Sequence, residues 1–199
     1  MQRVSLQDKR QSLQQALLRV IARDGIEQAT VRNIAAEANI NPAAISYAFA
    51  GKDELMMSLH FALQADVHDV VTKAIQTCTT IEEAIAKMAK AYFEHTVRDP
   101  DRQRAHMELT LSALARVESR EIAKMQYEGY IKQLVDAVSQ LDGGCISKAN
   151  ITSIARMGLA IMDGVIIQYL STHNLSACKK TLNLGINLLV NHCKLLKEQ

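Results

Sequence analysis

Apolar residues in this chain recur at every third or fourth position from Leu13 nearly to the C-terminus, and no stretch alternates apolar with polar. A period of 3.6 lays an apolar stripe along a helix, whereas a half-buried strand needs a period of two. Only two prolines, Pro42 and Pro100, break the pattern. The chain therefore reads as all-α, with nine helices and no internal repeat. Its 199 residues, 48% of them hydrophobic, bury a sizeable core without disulfides or metals.

The first helix carries Leu13, Ala16, Leu17, Val20 and Ile21 on one face. Ser5 is its N-cap, with Asp8 three residues on, and Gly25 its left-handed C-cap. Thr30 caps a short second helix, with Val31, Ile34, Ala35 and Ala38 as its buried stripe and Asn39 closing it in a left-handed conformation. Ile40 plugs the turn, Asn41 caps the third helix, and Pro42 stands at its first position. Lys52-Asp53-Glu54 opens a fourth helix reaching about Ile75, in whose stripe Asp66 is the one polar member. Further helices follow over Ile81 to Val97, Asp101 to Arg116, Glu118 to Leu141, Ser147 to Thr172, and from Asn174-Leu175-Ser176 to Leu196. The stretch Cys78-Thr79-Thr80 marks the domain boundary, giving domains over residues 7–67 and 75–199.

The third helix says most about function. Two short helices joined by a tight turn, over about residues 30–49, make a helix-turn-helix. Only Ile45 and Phe49 of the third helix face inward, so packing alone gives it little reason to exist. Ala43, Ala44, Ser46 and Tyr47 face out, and small residues there let the helix approach another surface closely. In a major groove that surface is base edges and thymine methyls. Thr30, Arg32 and Lys52 flank it as phosphate binders, and Asn41 stands in the turn. Residues 1–52 hold seven basic side chains (Arg3, Lys9, Arg10, Arg19, Arg23, Arg32, Lys52) against four acidic ones, a net of +3, while the whole chain is +2. The asymmetry has the sense DNA binding requires, though it is small.

The run Thr30-Val31-Arg32-Asn33-Ile34-Ala35, then Ala38-Asn39-Ile40-Asn41, then Ile45 through Leu55 with Phe49, Gly51 and Lys52, resembles the TetR family of bacterial repressors over roughly the first 60 residues. Asn39 stands where many members have Gly, and Ser46 where a Tyr is common, with the ring at Tyr47 instead. Within the family, residues 44–49 and Ile161-Met162-Asp163-Gly164-Val165 are weakly similar to the choline-responsive betaine repressors. The resemblance implies an N-terminal three-helix DNA-reading domain and a C-terminal helical ligand-binding and dimerisation domain. It implies a ligand-responsive dimeric transcriptional regulator, a repressor, released from a palindromic double-stranded DNA operator by a small-molecule effector.

The C-terminal helices point to a homodimer independently. Residues 157–170 and 182–193 are apolar nearly all round, which demands burial on more than one face. Gly158, Ile161, Val165, Leu182, Gly185, Ile186 and Leu189 are the expected interface, forming a two-fold four-helix bundle. Soft or polar residues on otherwise apolar faces are the effector candidates: Met88, Tyr92, His95, Met107, Thr110, Met125, Tyr130, Met162 and Gln168. No Lys or Arg cluster marks an anionic effector and few aromatics are available to cage a quaternary ammonium, so a largely neutral ligand is expected. Asp163 is expected to pair or cap at the dimer interface.

Other classes fit less well. There is no Ser-His-Asp order, phosphate loop, HExxH or CxxC, so no enzyme, metal or cofactor is expected. Cys78, Cys145, Cys178 and Cys193 read as free thiols. No apolar stretch follows MQRVSLQDKR, and the window Met157 to Leu170 reads as too short for a bilayer, so a cytoplasmic protein without a membrane partner is expected. The alternative is a helical protein–protein adaptor of the same fold, for which a nearly bare third helix has no use.

Overall fold

The computed structural model describes residues 5–115, 119–141 and 143–198. Among them are nine α-helices and no strand: α1 (Leu6–Asp24), α2 (Val31–Glu37), α3 (Ala43–Ala48), α4 (Lys52–Ile75), α5 (Ile81–Arg98), α6 (Pro100–Ala115), α7 (Arg120–Ser139), α8 (Lys148–Thr172) and α9 (Leu175–Lys197). The expected end of the sixth helix at Arg116, the start of the seventh at Glu118, the residue Asp142 and the basic Arg3 lie outside the described residues.

The chain divides into two compact units that interleave along the sequence. The first holds residues 1–65 and 99–124, the second 66–98 and 125–199. α6 thus belongs with the N-terminal helices, which the sequence reading assigned to the other side of the boundary. The reason lies in the first core. Ala105 and Leu109 of α6 pack with Leu17, Ile21, Ile34, Ile45, Phe49 and Leu55, all nearly inaccessible. Arg104 donates to the Ala22 carbonyl, and Glu108 accepts the Ile26 N–H at 2.8 Å.

Local chemistry explains the element ends. Ser5 Oγ accepts the Asp8 N–H at 3.1 Å while the Asp8 carboxylate accepts the Ser5 N–H at 3.1 Å, a closed capping box. Thr30 Oγ1 accepts the Asn33 N–H at 3.1 Å, and Asn41 Oδ1 the Ala43 N–H at 2.9 Å. Asn39 takes the expected positive φ of 54°. Gly25 differs from expectation: its φ of 86° goes with a ψ of 164°, an extended positive-φ state essentially restricted to glycine, not the left-handed helical one. A 3-10 turn at Ile26–Gln28, unanticipated, follows it. On α4, Asp66 is exposed, and the buried polar residues are His60 and Gln64 instead.

The second unit's core gathers Ile81, Ile85 and Met88 of α5, Val135 and Val138 of α7, Ile151 and Ile154 of α8, and Leu189 and Cys193 of α9. All four cysteines are free thiols, with Cys145 exposed. α8 runs for 25 residues and is long and apolar enough by length and composition to cross a bilayer, so the shorter window read from the sequence understated it.

The residues expected at a dimer interface are turned inward. Val165 (2% exposed), Leu182 (3%), Ile186 (5%) and Leu189 (7%) are buried within one chain. A Cβ on Gly185 would lie 2.7 Å from Ile161 Cγ2, and one on Gly158 3.8 Å from Leu189 Cδ1. Those glycines let α8 and α9 of the same chain approach. Periodicity cannot choose an inward face on a helix that is apolar all round. The stripe left outward is Met157, Ala160 and Ile167 on α8, with half-buried Gly164 among them, and Leu184, Leu188 and Leu195 on α9.

Candidate nucleic-acid interface

α3 has six residues and is held by what surrounds it. Ile45 (1% exposed), Ala48 (5%) and Phe49 (2%) anchor it in the first core; Ala48 joins the two inward residues expected. Arg10, which the sequence reading counted only as a positive charge, is the clamp. Its Nη1 donates to the Ala48 carbonyl at 2.6 Å, its Nη2 to Glu54 Oε1 at 2.8 Å, and its guanidinium lies 4.0 Å from the centre of the Phe49 ring. Glu54 Oε2 in turn accepts the Ala50 N–H at 2.6 Å. That hydrogen bond, then the one from Arg10, holds the Glu54 carboxyl below its usual range. One guanidinium therefore ties α1, the C-terminus of α3 and the first turn of α4. Arg10→Met is expected to keep the apolar stem but remove the guanidinium stacked on Phe49 and free the end of α3, weakening DNA binding at least ten-fold with little loss of helicity; circular dichroism and a DNA titration check both.

Outward, Asn41, Ala43, Ser46 and Tyr47 are exposed and Ala44 is half-exposed. The Tyr47 ring is 76% exposed, with the Lys9 ammonium 5.7 Å from its centre. Thr30 and Arg32 are exposed and Lys52 half-exposed. The Thr30 oxygen is engaged as a cap, which leaves its hydroxyl proton available for donation. Short range places all eight residues together, within 23 positions from Thr30 to Lys52.

The charge count needs refining. Arg19 and Arg23 bind Glu37 at 2.6 and 2.8 Å, and Arg23 also binds Asp24 at 2.8 Å. Hydrogen bonds from Arg19, then Arg23, pull the Glu37 carboxyl below its ordinary value. These pairs fix α2 against α1 and engage both guanidiniums, while the net charge is unchanged. Lys9, Arg32 and Lys52 form no ion pair among the described residues and remain as the free cations of this face.

The nine effector candidates do not assemble as a set. Met88, Tyr92 and Met162 line an apolar cavity of the second unit walled by α4, α5, α7, α8 and α9. Tyr130 lines a neighbouring void with Met88 and Tyr92. Met107 and Thr110 sit on α6 in the first unit, where the Thr110 hydroxyl donates to the His106 carbonyl at 3.2 Å. Met125 is 56% exposed and Gln168 is exposed, while half-buried His95 lines neither space. Wide spacing of mixed residue types gave no phase from which to choose among helix faces. Missed were His68, Gln133 and Asp163, which line the second void. Asp163 pairs within the chain, its Oδ2 accepting the Tyr127 hydroxyl at 2.8 Å. A carboxylate inside an otherwise apolar helix was the signal for it. Burial raises its carboxyl above the ordinary range, against the Tyr127 hydrogen bond. Burial also pushes the Tyr130 phenol up to about 12.

The model for bacterial regulatory proteins of the tetR family matches residues 14–59. The chain is 29% identical over 170 residues to the nicotine-responsive transcriptional repressor HdnoR of Paenarthrobacter nicotinovorans, covering 84% of this chain and 86% of that one. It is 27% identical over 161 residues to the transcriptional regulator BetI of Brucella melitensis, covering 81% of this chain and 79% of that one. In fold it is similar to the transcriptional regulator FadR of Bacillus subtilis, solved in complex with stearoyl-CoA, at a TM-score of 0.70 and 18% identity over 90% of this chain and 97% of that one.

Proposed function

Because the chain belongs to the TetR family of bacterial regulatory proteins and is a DNA-binding transcriptional regulator, we propose that it is a cytoplasmic, dimeric, ligand-responsive repressor. α3 enters the major groove of a palindromic operator. Ala43, Ala44, Ser46 and Tyr47 meet base edges, and Thr30, Arg32, Asn41 and Lys52 meet the sugar-phosphate backbone. The observation that carries the reading is α3 itself: a six-residue helix clamped from behind by Arg10 while its bare outer side holds a tyrosine in solvent. A DNA-reading region over residues 7–67 and a ligand-binding and dimerising region over 75–199 are part of the proposal, with α6 added to the first.

The dimer forms through the outward stripe of α8 and α9 around Met157, Ile167, Leu184 and Leu188, each more than half exposed in the single chain. An exposed apolar stripe of this kind marks an interaction surface. Two-fold pairing sets two copies of α3 against half-sites one DNA turn apart, roughly 34 Å. A small molecule in the second unit releases the operator by binding the DNA-incompetent state more tightly. HdnoR, by its name, responds to nicotine, and FadR was solved with an acyl-CoA bound; these precedents support an effector here without naming it.

A salt-dependent titration against genomic fragments tests the reading. Tyr47→Ala is expected to cost about 1–3 kcal/mol on the specific site and little on other DNA. Lys52→Ala is expected to weaken all DNA alike and lower the salt slope by about one. Absence of specific binding at any salt concentration would favour the adaptor reading.

A further inference from the structure

We propose that the void beside Asp163 binds a protonated organic amine, one positive charge on an apolar body about the size of a single ring. The inference rests on the ligand-responsive reading only for the consequence of binding on DNA.

Charge complementarity comes first. The void is walled by α4, α5, α7 and α8, all in the second unit, and Asp163 is its single formally charged wall residue; no Lys or Arg lines it. The Tyr127 hydroxyl, donating at 2.8 Å to Oδ2, fixes the carboxylate's orientation. The Tyr130 ring, which meets the Tyr127 ring edge to face at 6.2 Å, brings an aromatic group to the same wall. Cations are attracted to aromatic faces, most strongly where water is excluded.

A second feature is independent of the carboxylate. His68 also lines the void, and its Nδ1 is buried without a hydrogen-bond partner. A neutral imidazole offers an unprotonated nitrogen as an acceptor. The Thr72, Tyr92 and Tyr130 hydroxyls and the Gln133 amide, which complete the polar wall, can each accept as well as donate, so an ammonium N–H entering beside Asp163 and His68 meets acceptors and no opposing cation. An anion would be repelled by Asp163. A neutral hydrocarbon would leave the imidazole nitrogen without a partner and give the half-buried Asp163 carboxylate no counter-ion beyond the Tyr127 hydrogen bond, which is unfavourable. The proposal therefore departs from the largely neutral ligand expected from the sequence.

The rest of the ligand is set by the adjoining cavity. The two spaces share Val71, Met88, Tyr92, Leu134 and Leu159, and the larger continues among aliphatic side chains without a charged group. Their free volumes are about 90 and 60 Å³. Together these approach the roughly 150 Å³ void that accepts benzene in an apolar core.

The test is calorimetry on the full chain without DNA, using N,N-dimethylbenzylamine, its uncharged isostere isobutylbenzene, and phenylacetate. The amine is expected to bind at least ten-fold more tightly than isobutylbenzene, and phenylacetate more weakly than either. Asp163→Asn keeps an acceptor for the Tyr127 hydroxyl and is expected to reduce amine affinity to that of the hydrocarbon, leaving hydrocarbon binding unchanged. Equal affinity for amine and hydrocarbon, preference for phenylacetate, or unchanged amine binding in Asp163→Asn overturns the proposal. The first two comparisons use the unmodified protein, so a variant that fails to fold does not shield it. Repeating the titration with bound operator separates the two readings. Asp163-dependent amine binding that leaves DNA affinity untouched supports the site and overturns ligand-responsive regulation. DNA release by the amine that persists in Asp163→Asn overturns the site and leaves the regulation standing.

Discussion

Replacing Leu184 and Leu188 together by glutamate is expected to give a monomer with at least a hundred-fold weaker operator binding. Both residues are 62% exposed in the single chain, so the substitution removes little intramolecular packing and the melting of the monomer should change little. In a two-fold pair, however, each residue faces its own symmetry mate or a near neighbour. Four carboxylates would then be brought together in a dry interface, where desolvation is costly. The loss of DNA affinity follows from linkage of two reading heads: once one half-site is held, the second binds at high effective concentration, a gain of about 10²–10⁴ that a monomer forfeits. Sedimentation gives the mass and a titration the affinity. A doubly substituted protein that stays dimeric would remove this stripe from the interface.

The second large effect is Gly185→Leu. A Cβ at this position would already sit 2.7 Å from Ile161 Cγ2, closer than side chains tolerate. Ile161 is packed against the core and has limited room to withdraw. The result expected is a fold less stable by about 1–3 kcal/mol or more, the usual range for overpacking. For a chain of this length each kcal/mol lowers the melting temperature by about 2–4 °C. The control is Gly164→Ala, where an added Cβ meets nothing within 4 Å. That change is expected to raise monomer stability by about 0.5–1 kcal/mol, because alanine is the better helix former. An unchanged urea midpoint in Gly185→Leu would show that α8 and α9 separate more readily than the contact implies.

What was legible in the chain was what short range determines. Ser5 and Asp8, Thr30 and Asn33, and Asn41 and Ala43 are two or three residues apart, and each pair forms the cap its chemistry suggested. The buried stripe of α1 and the outward residues of α3 followed from period alone, since each helix has one polar and one apolar side or is too short to have more than one anchor. Long-range choices were not legible. Arg10 reaches a carbonyl 38 residues away and a carboxylate 44 away, and nothing local distinguishes it from Arg19 or Arg32. α8 is apolar nearly all round and α9 carries Leu184, Leu188 and Leu195 among its exposed polar residues, so periodicity did not say which apolar residues pack inside the chain. Asp163 stood out against its apolar neighbours, but its partner Tyr127 lies 36 residues earlier and on another helix.

The order in which the polypeptide visits its two units has a practical and a kinetic result. Because α6 supplies Ala105 and Leu109 to the first core, Arg104 to the end of α1 and Glu108 to the turn that follows it, a fragment stopped at residue 65 is missing a wall. Such a fragment should be prone to aggregation, and graft junctions for exchanging reading heads between relatives belong near 65, 99 and 124 together, not at one point. On the ribosome, likewise, the head cannot close until the segment through Lys124 has emerged, by which time the first stretch of the second unit, 66–98, has already been made and must wait.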